Sequence, residues 1–102
     1  MAYTKAQTYQ FTKKLYQLLK TQPDTVILKK LWGNCCGLYH PDTDTIDIDF
    51  RRGIIPTLVH EALHKFHPNW SETKVWEHES KIMNSLTPRQ VKNIIRMLAA
   101  YL

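Results

Sequence analysis

The order of periodicities along the 102 residues predicts one α+β domain. One amphipathic helical stretch comes first. Three short strand-like runs, separated by turn signals, follow it, and three helical segments with their own start signals close the chain. With 43% hydrophobic and 11% aromatic residues the chain can bury a core, and nothing in its composition suggests disorder.

Thr4 to Lys20 reads as the first helix. Tyr9, Phe11, Leu15, Tyr16, Leu18 and Leu19 share its broad apolar face, while Lys13, Lys14 and Gln17 point away. Pro23-Asp24 ends it. Val26 to Trp32 reads as a strand, Gly33-Asn34 as a turn and Cys35 to Tyr39 as a second strand. After the turn signal Pro41-Asp42-Thr43-Asp44, Thr45 to Phe50 alternates. Ile46, Ile48 and Phe50 take one face and Asp47 and Asp49 the other, as expected of a half-buried strand at the edge of a small antiparallel sheet. A helix is expected from near Pro56 to Phe66 or His67, because Pro68 disfavours helical geometry in the residue before it. Ser71 reads as the N-cap of a helix running to about Ser85. Thr87-Pro88-Arg89-Gln90 reads as a capping box opening the last helix, with Val91, Ile94, Ile95, Leu98 and Tyr101 inward. The predicted fold is therefore a single domain over residues 1–102, with a three-stranded sheet, an N-terminal helix, a central helix and two C-terminal helices.

Composition narrows the function classes. No run of about 18 apolar residues spans a membrane, and Met1-Ala2-Tyr3-Thr4-Lys5 lacks a signal-peptide core, so an intracellular, cytoplasmic protein without membrane contact is expected. The adjacent Cys35 and Cys36 offer no disulfide framework and read as small strand residues. The net charge of +5 allows nucleic acid as a partner, but the basic residues come in scattered pairs (Lys13-Lys14, Lys29-Lys30, Arg51-Arg52), which favours a solvated surface instead.

His60-Glu61-Ala62-Leu63-His64 carries the chemistry. Residues four apart lie on one helix face, so both imidazoles reach one metal ion, and Glu61 beside them can act as general base on a polarised water. At 100° per residue, Ile55, Leu58, Val59, Ala62, Leu63 and Phe66 fall in one arc, leaving Thr57, His60, Glu61, His64 and His67 on the other side. An ordinary surface helix fills that side with Lys, Glu and Gln; here only Lys65 fits that pattern. A third ligand is then needed. His67 is about 10 Å along the axis from His60, too far for one straight helix to wrap a single ion. The next helix offers Glu72, Glu77, His78 and Glu79. Glu79 lies inside an apolar arc of Val75, Trp76, Ile82, Met83 and Leu86, where a carboxylate needs a partner, and is the first choice. Glu72 reads as a carboxylate orienting a ligand histidine, as the ligand itself, or as a favourable charge on a helix N-terminus. His78 stands at the margin of the arc, and Glu77 points to solvent.

These residues resemble a zincin metallopeptidase of the gluzincin type, with its two histidines and a downstream glutamate. The small size is similar to the minimal minigluzincin scaffolds, and Leu58-Val59-His60-Glu61 after a short strand resembles the SprT-like proteases that act on DNA-attached proteins. The resemblance implies a minimal zincin-like fold and a Zn2+ ion held by His60, His64 and Glu79. It implies Glu61 as the catalytic base and a peptide or protein as substrate. It also implies that the strand before the metal helix, Thr45 to Phe50, pairs with extended substrate. Tyr39, His40 and His67 are open as oxyanion donors, with core packing and turn roles as their simpler explanations. Two departures stand out: no Gly-x-x-His follows His64, and the glutamate lies closer to the second histidine than in large gluzincins. The competing readings are a DNA-associated SprT-like protease, a catalytically weak zinc-binding regulatory module, and a toxin or regulator acting by binding alone.

Overall fold

Helix α1 (Lys5–Thr21) is opened by a capping box in which Thr4 Oγ1 accepts from Gln7 N and the Gln7 side chain accepts from Thr4 N. A 3₁₀ turn over Pro23–Thr25 leads into β1 (Val26–Lys29), followed by β2 (Gly37–His40), β3 (Thr45–Asp49), α2 (Ile54–Phe66), α3 (Glu72–Ser85) and α4 (Pro88–Ala100). This is a computed structural model and it describes residues 2–100. Tyr101, expected on the inner face of α4, lies outside the described residues. Among the described residues, no helix is long and apolar enough to cross a membrane.

The architecture is α+β with four helices and three strands, but the sheet is mixed. Its order is β1-β3-β2. β2 and β3 form an antiparallel hairpin through the Pro41–Asp44 turn, whereas β1 runs parallel to β3. The expected all-antiparallel sheet and the expected edge position of Thr45 to Phe50 are therefore both corrected. β3 takes the centre because it carries the residues most in need of burial: Ile46 and Ile48 are fully buried in the core shared with Leu58, Val59, Ala62 and Leu63 of α2.

The opposite side of β3 is not a solvated polar face either. Asp47 and Asp49 are buried, and each has partners. Asp49 accepts from Leu31 N, from Arg51 N and from the Arg51 guanidinium, which holds its carboxyl far below the usual carboxylate range. Asp47 meets His40 Nε2 at 2.9 Å. Those bonds compensate the desolvation that a lone carboxylate could not bear. The Leu31–Asp49 bond and a turn at Gly33 (φ 63°) also end β1 at Lys29 rather than Trp32. The positive φ is one that glycine adopts without strain. Cys35 and Cys36 precede β2 instead of opening it.

The later helices follow their signals closely. Ser71 Oγ accepts from Lys74 N, and Thr87 and Gln90 exchange the two capping-box bonds. Differences appear at the margins of apolar faces: Tyr9, Ile95, Trp76 and Phe50, all expected inward, are about half exposed. Each lies at the margin of its element's apolar face or, for Phe50, beyond the strand end.

Candidate metal centre

Helix α2 buries Leu58, Val59, Ala62 and Leu63 and turns His60 and His64 toward its flank. Their rings lie 5.0 Å apart, as the i, i+4 spacing requires. The short connection over residues 67–71 folds the chain back so that α3 packs against α2. Glu72, Trp76 and Glu79 occupy positions i, i+4 and i+7 of α3 and form the stripe that meets the two histidines.

The two glutamates then part. Glu72 reaches both outer ring nitrogens: Oε1 lies 2.5 Å from His60 Nε2 and Oε2 lies 3.2 Å from His64 Nε2. Glu79 Oε1 lies 2.6 Å from the other nitrogen of His60, Nδ1. The Glu79 side chain is largely enclosed (15% exposed), while that of Glu72 is open to solvent at 60%. Trp76 sets its ring at 65° to His60, 5.0 Å between centroids. Helix angles set Glu79 inside the apolar arc and Glu72 beside it; the crossing of the two helices brings both glutamates to His60, on opposite sides of the ring.

Glu61 sits beneath this group. It is 6% exposed, and its Oε2 has no hydrogen-bond partner among the described residues. Burial pushes its carboxyl up, against a smaller opposing pull from His60 and His64. Strand β2 closes over it with unusual intimacy. A Cβ on Gly37 would lie 2.5 Å from Thr57 Cγ2 and 3.2 Å from Glu61 Cγ, so only glycine fits. This residue was missed in the sequence, where the signal was present as a glycine inside a strand pattern.

Two hollows meet at Gly37 and Glu61. One, of about 450 Å³, is walled by Cys35, Cys36, Gly53, His60 and Trp76; the other, of about 490 Å³, by Leu38, Tyr39, His64, Pro68 and Glu72. Glu61 and Gly37 thus border both hollows, and the outer edge of β2 carries no partner strand in this sheet. β3 cannot serve as the substrate rail, because β1 and β2 occupy both of its edges.

The three residues considered as oxyanion donors are each engaged. The Tyr39 hydroxyl donates to Asp44 Oδ1 at 2.7 Å, which pushes its pKa up to about 12. His40 pairs with Asp47, and His67 caps α2 and stacks on Trp70 at 3.8 Å. His78 belongs to the same far cluster: it packs on Trp70, and its Nδ1 lies 2.5 Å from the Tyr3 hydroxyl. Cys35 and Cys36 are free thiols.

His60, His64 and Glu72 each offer one atom within 4.8 Å of the others, a compact set for a metal ion. A tetrahedron with bonds of about 2.1 Å has edges of roughly 3.4 Å, so small side-chain adjustments fit one cation between the three. The donor chemistry fits too. His60 faces carboxylates at both nitrogens, so a cation held at Nε2 would lie beside Glu72 while Nδ1 keeps its contact with Glu79. A scan against models of protein families, and searches of curated proteins and of solved structures, found no match to this chain.

Proposed function

We propose that this chain is a zinc-dependent peptidase whose metal ligands are His60, His64 and Glu72. The observation that carries the reading is the convergence of both Nε2 atoms on one carboxylate, with the unpartnered Oε2 of Glu61 buried beside them. Glu79 then orients His60 through Nδ1 instead of binding the ion, which reverses the preference drawn from helix angles. Two nitrogens and one carboxylate leave a fourth position open, the donor set of a catalytic zinc.

When bound, zinc supplies the Lewis acidity that brings the pKa of water towards neutrality. The rest falls to this chain. Glu61 Oε2 accepts the proton of the attacking water and passes it to the leaving amine. Its buried setting, which disfavours the charged form, makes the carboxylate a stronger base than one in water. Gly37–His40 offers main-chain groups along the free edge of β2 to an extended peptide, in place of the central β3. Open hollows on both sides of Glu61 suit a peptide segment better than a small enclosed ligand, and the two free thiols suit an intracellular setting.

The test is metal analysis with a casein or peptide-library assay of the wild type and Glu61→Gln. Stoichiometric zinc in both forms and hydrolysis by the wild type alone is the expected result. Zinc-free protein with identical behaviour in both forms overturns it, and zinc uptake without hydrolysis by either assigns the chain to a binding module instead.

A further inference from the structure

Because β1 and β3 run parallel and β2 antiparallel, the loop over residues 30–36 and the connection over 50–53 leave the sheet at the same end. That end carries Trp32, 96% exposed, and Phe50, 46% exposed. Lys29, Lys30, Arg51 and Arg52 surround them, and residues 26–41 and 50–60 contain no Asp or Glu. Of the four carboxylates between these segments, Asp49 is buried and consumed by Arg51, and Asp47 is buried against His40 with Lys29 Nζ 3.9 Å away. The exposed acids Asp24, Asp42 and Asp44 lie at the opposite end of the sheet, before β1 and in the β2–β3 turn. Along the strands, the basic and aromatic side chains gather at one end, where the nearby Glu79 is engaged by His60; at the other end lie the acids, of which Asp44 is paired with Lys65.

The Trp32 loop is built rather than loose. Leu31 N donates to Asp49, Arg51 donates to Leu31 O and Arg52 donates to Gly33 O, so both neighbours of Trp32 are held by side chains from the β3–α2 region. Three hydrogen bonds thus fix the backbone on either side of an indole that touches almost nothing. Burial in the fold does not account for that placement.

We propose that this end of the sheet docks on an anionic lipid surface, with Trp32 and Phe50 entering the headgroup layer and Lys29, Lys30 and Arg52 meeting lipid phosphates. Indole rings favour the membrane–water interface, and basic side chains near an anionic leaflet add attraction that salt screens. A protruding aromatic with a cationic collar matches a planar surface, whereas single-stranded nucleic acid is held in a basic groove. Docking is peripheral, since no described helix is long and apolar enough to cross a bilayer. The proposal does not depend on the metal reading.

The experiment is sedimentation of the full chain with phosphatidylcholine vesicles, with and without about 30% phosphatidylserine. The wild type is expected to partition onto the anionic vesicles, weakly onto neutral ones, and less as salt rises. Trp32→Ala should cut partitioning about tenfold, and Lys30→Glu by about fivefold or more. Both positions are exposed, so circular dichroism should show unchanged folding. Absence of partitioning, or equal partitioning of Trp32→Ala, overturns the proposal. So does Trp32-dependent retention on a single-stranded oligonucleotide without vesicle binding, which assigns the tip to nucleic acid.

Discussion

Glu79 approaches His60 Nδ1 at 2.6 Å, on the side of the imidazole away from His64 and Glu72. An enclosed carboxylate in that place fixes ring orientation and leaves Nε2 as the nitrogen offered outward. Its effect on metal binding should differ in size from that of a ligand. Glu79→Gln is expected to weaken zinc or cobalt affinity by about 10- to 100-fold. Glu72→Ala is expected to remove a ligand and abolish binding at equimolar metal. Chelator competition monitored through cobalt absorption separates the two; a larger loss for Glu79→Gln than for Glu72→Ala would return the third-ligand role to Glu79.

Glu61 touches neither Nε2 and is not in the donor set. Glu61→Gln is expected to keep metal affinity within a few-fold while lowering turnover by about 10²- to 10⁴-fold, the usual worth of a general base. Isothermal titration for the metal and product formation for the peptide give the two readouts.

Gly37 is the point where β2 and α2 come closest over the site. Gly37→Ala forces a methyl into Thr57 and against Glu61, and overpacking of this kind costs about 1–3 kcal/mol. Denaturant midpoints should fall accordingly. Because the displaced wall is the one above Glu61, hydrolysis should fall further than the folded fraction does. Ser71→Ala provides a contrast: it removes the α3 cap at a cost of about 0.5–2 kcal/mol without touching that wall.

The far cluster of Tyr3, His67, Trp70 and His78 makes stability depend on pH. Burial, reinforced by nearby lysines, pulls His67 and His78 below the ordinary imidazole value of 6.5. The unfolded chain therefore takes up these protons first as pH falls through that value. The contribution is fully present above it and is lost on acidification. The denaturation midpoint of His78→Gln should change less than that of the wild type between about pH 7.5 and 5.5. Equal slopes in the two proteins would remove His78 from the account.

How much was legible in advance follows the range of the interactions. Ser71 and the Thr87–Gln90 pair specify helix starts within a single turn, so two of the four helix starts follow from adjacent residues, while Thr4, read as the first helical residue, is itself a cap. The placement of His60 and His64 on one face, away from Leu58, Val59, Ala62 and Leu63, follows from helical pitch alone. Angles on α3 narrowed the partner carboxylates to Glu79 and Glu72. They could not say which side of His60 each would reach, because that depends on the crossing of two helices.

The strands illustrate the opposite case. Alternation in Thr45 to Phe50 correctly separates Ile46 and Ile48 from Asp47 and Asp49, yet it reads the aspartates as solvated and the strand as an edge. Arg51, Leu31 and His40 are what allow those carboxylates to be buried, and all three are supplied by chain segments outside β3. By itself, then, the sequence determined the helices, the caps at Ser71 and Thr87 and the histidine pair, since each depends on contacts a few residues apart. Strand order, the partition of Glu72 from Glu79 and the closure of Gly37 over Glu61 were decided only by tertiary structure. These depend on which distant surfaces bury each other, and neither periodicity nor propensity encodes that choice.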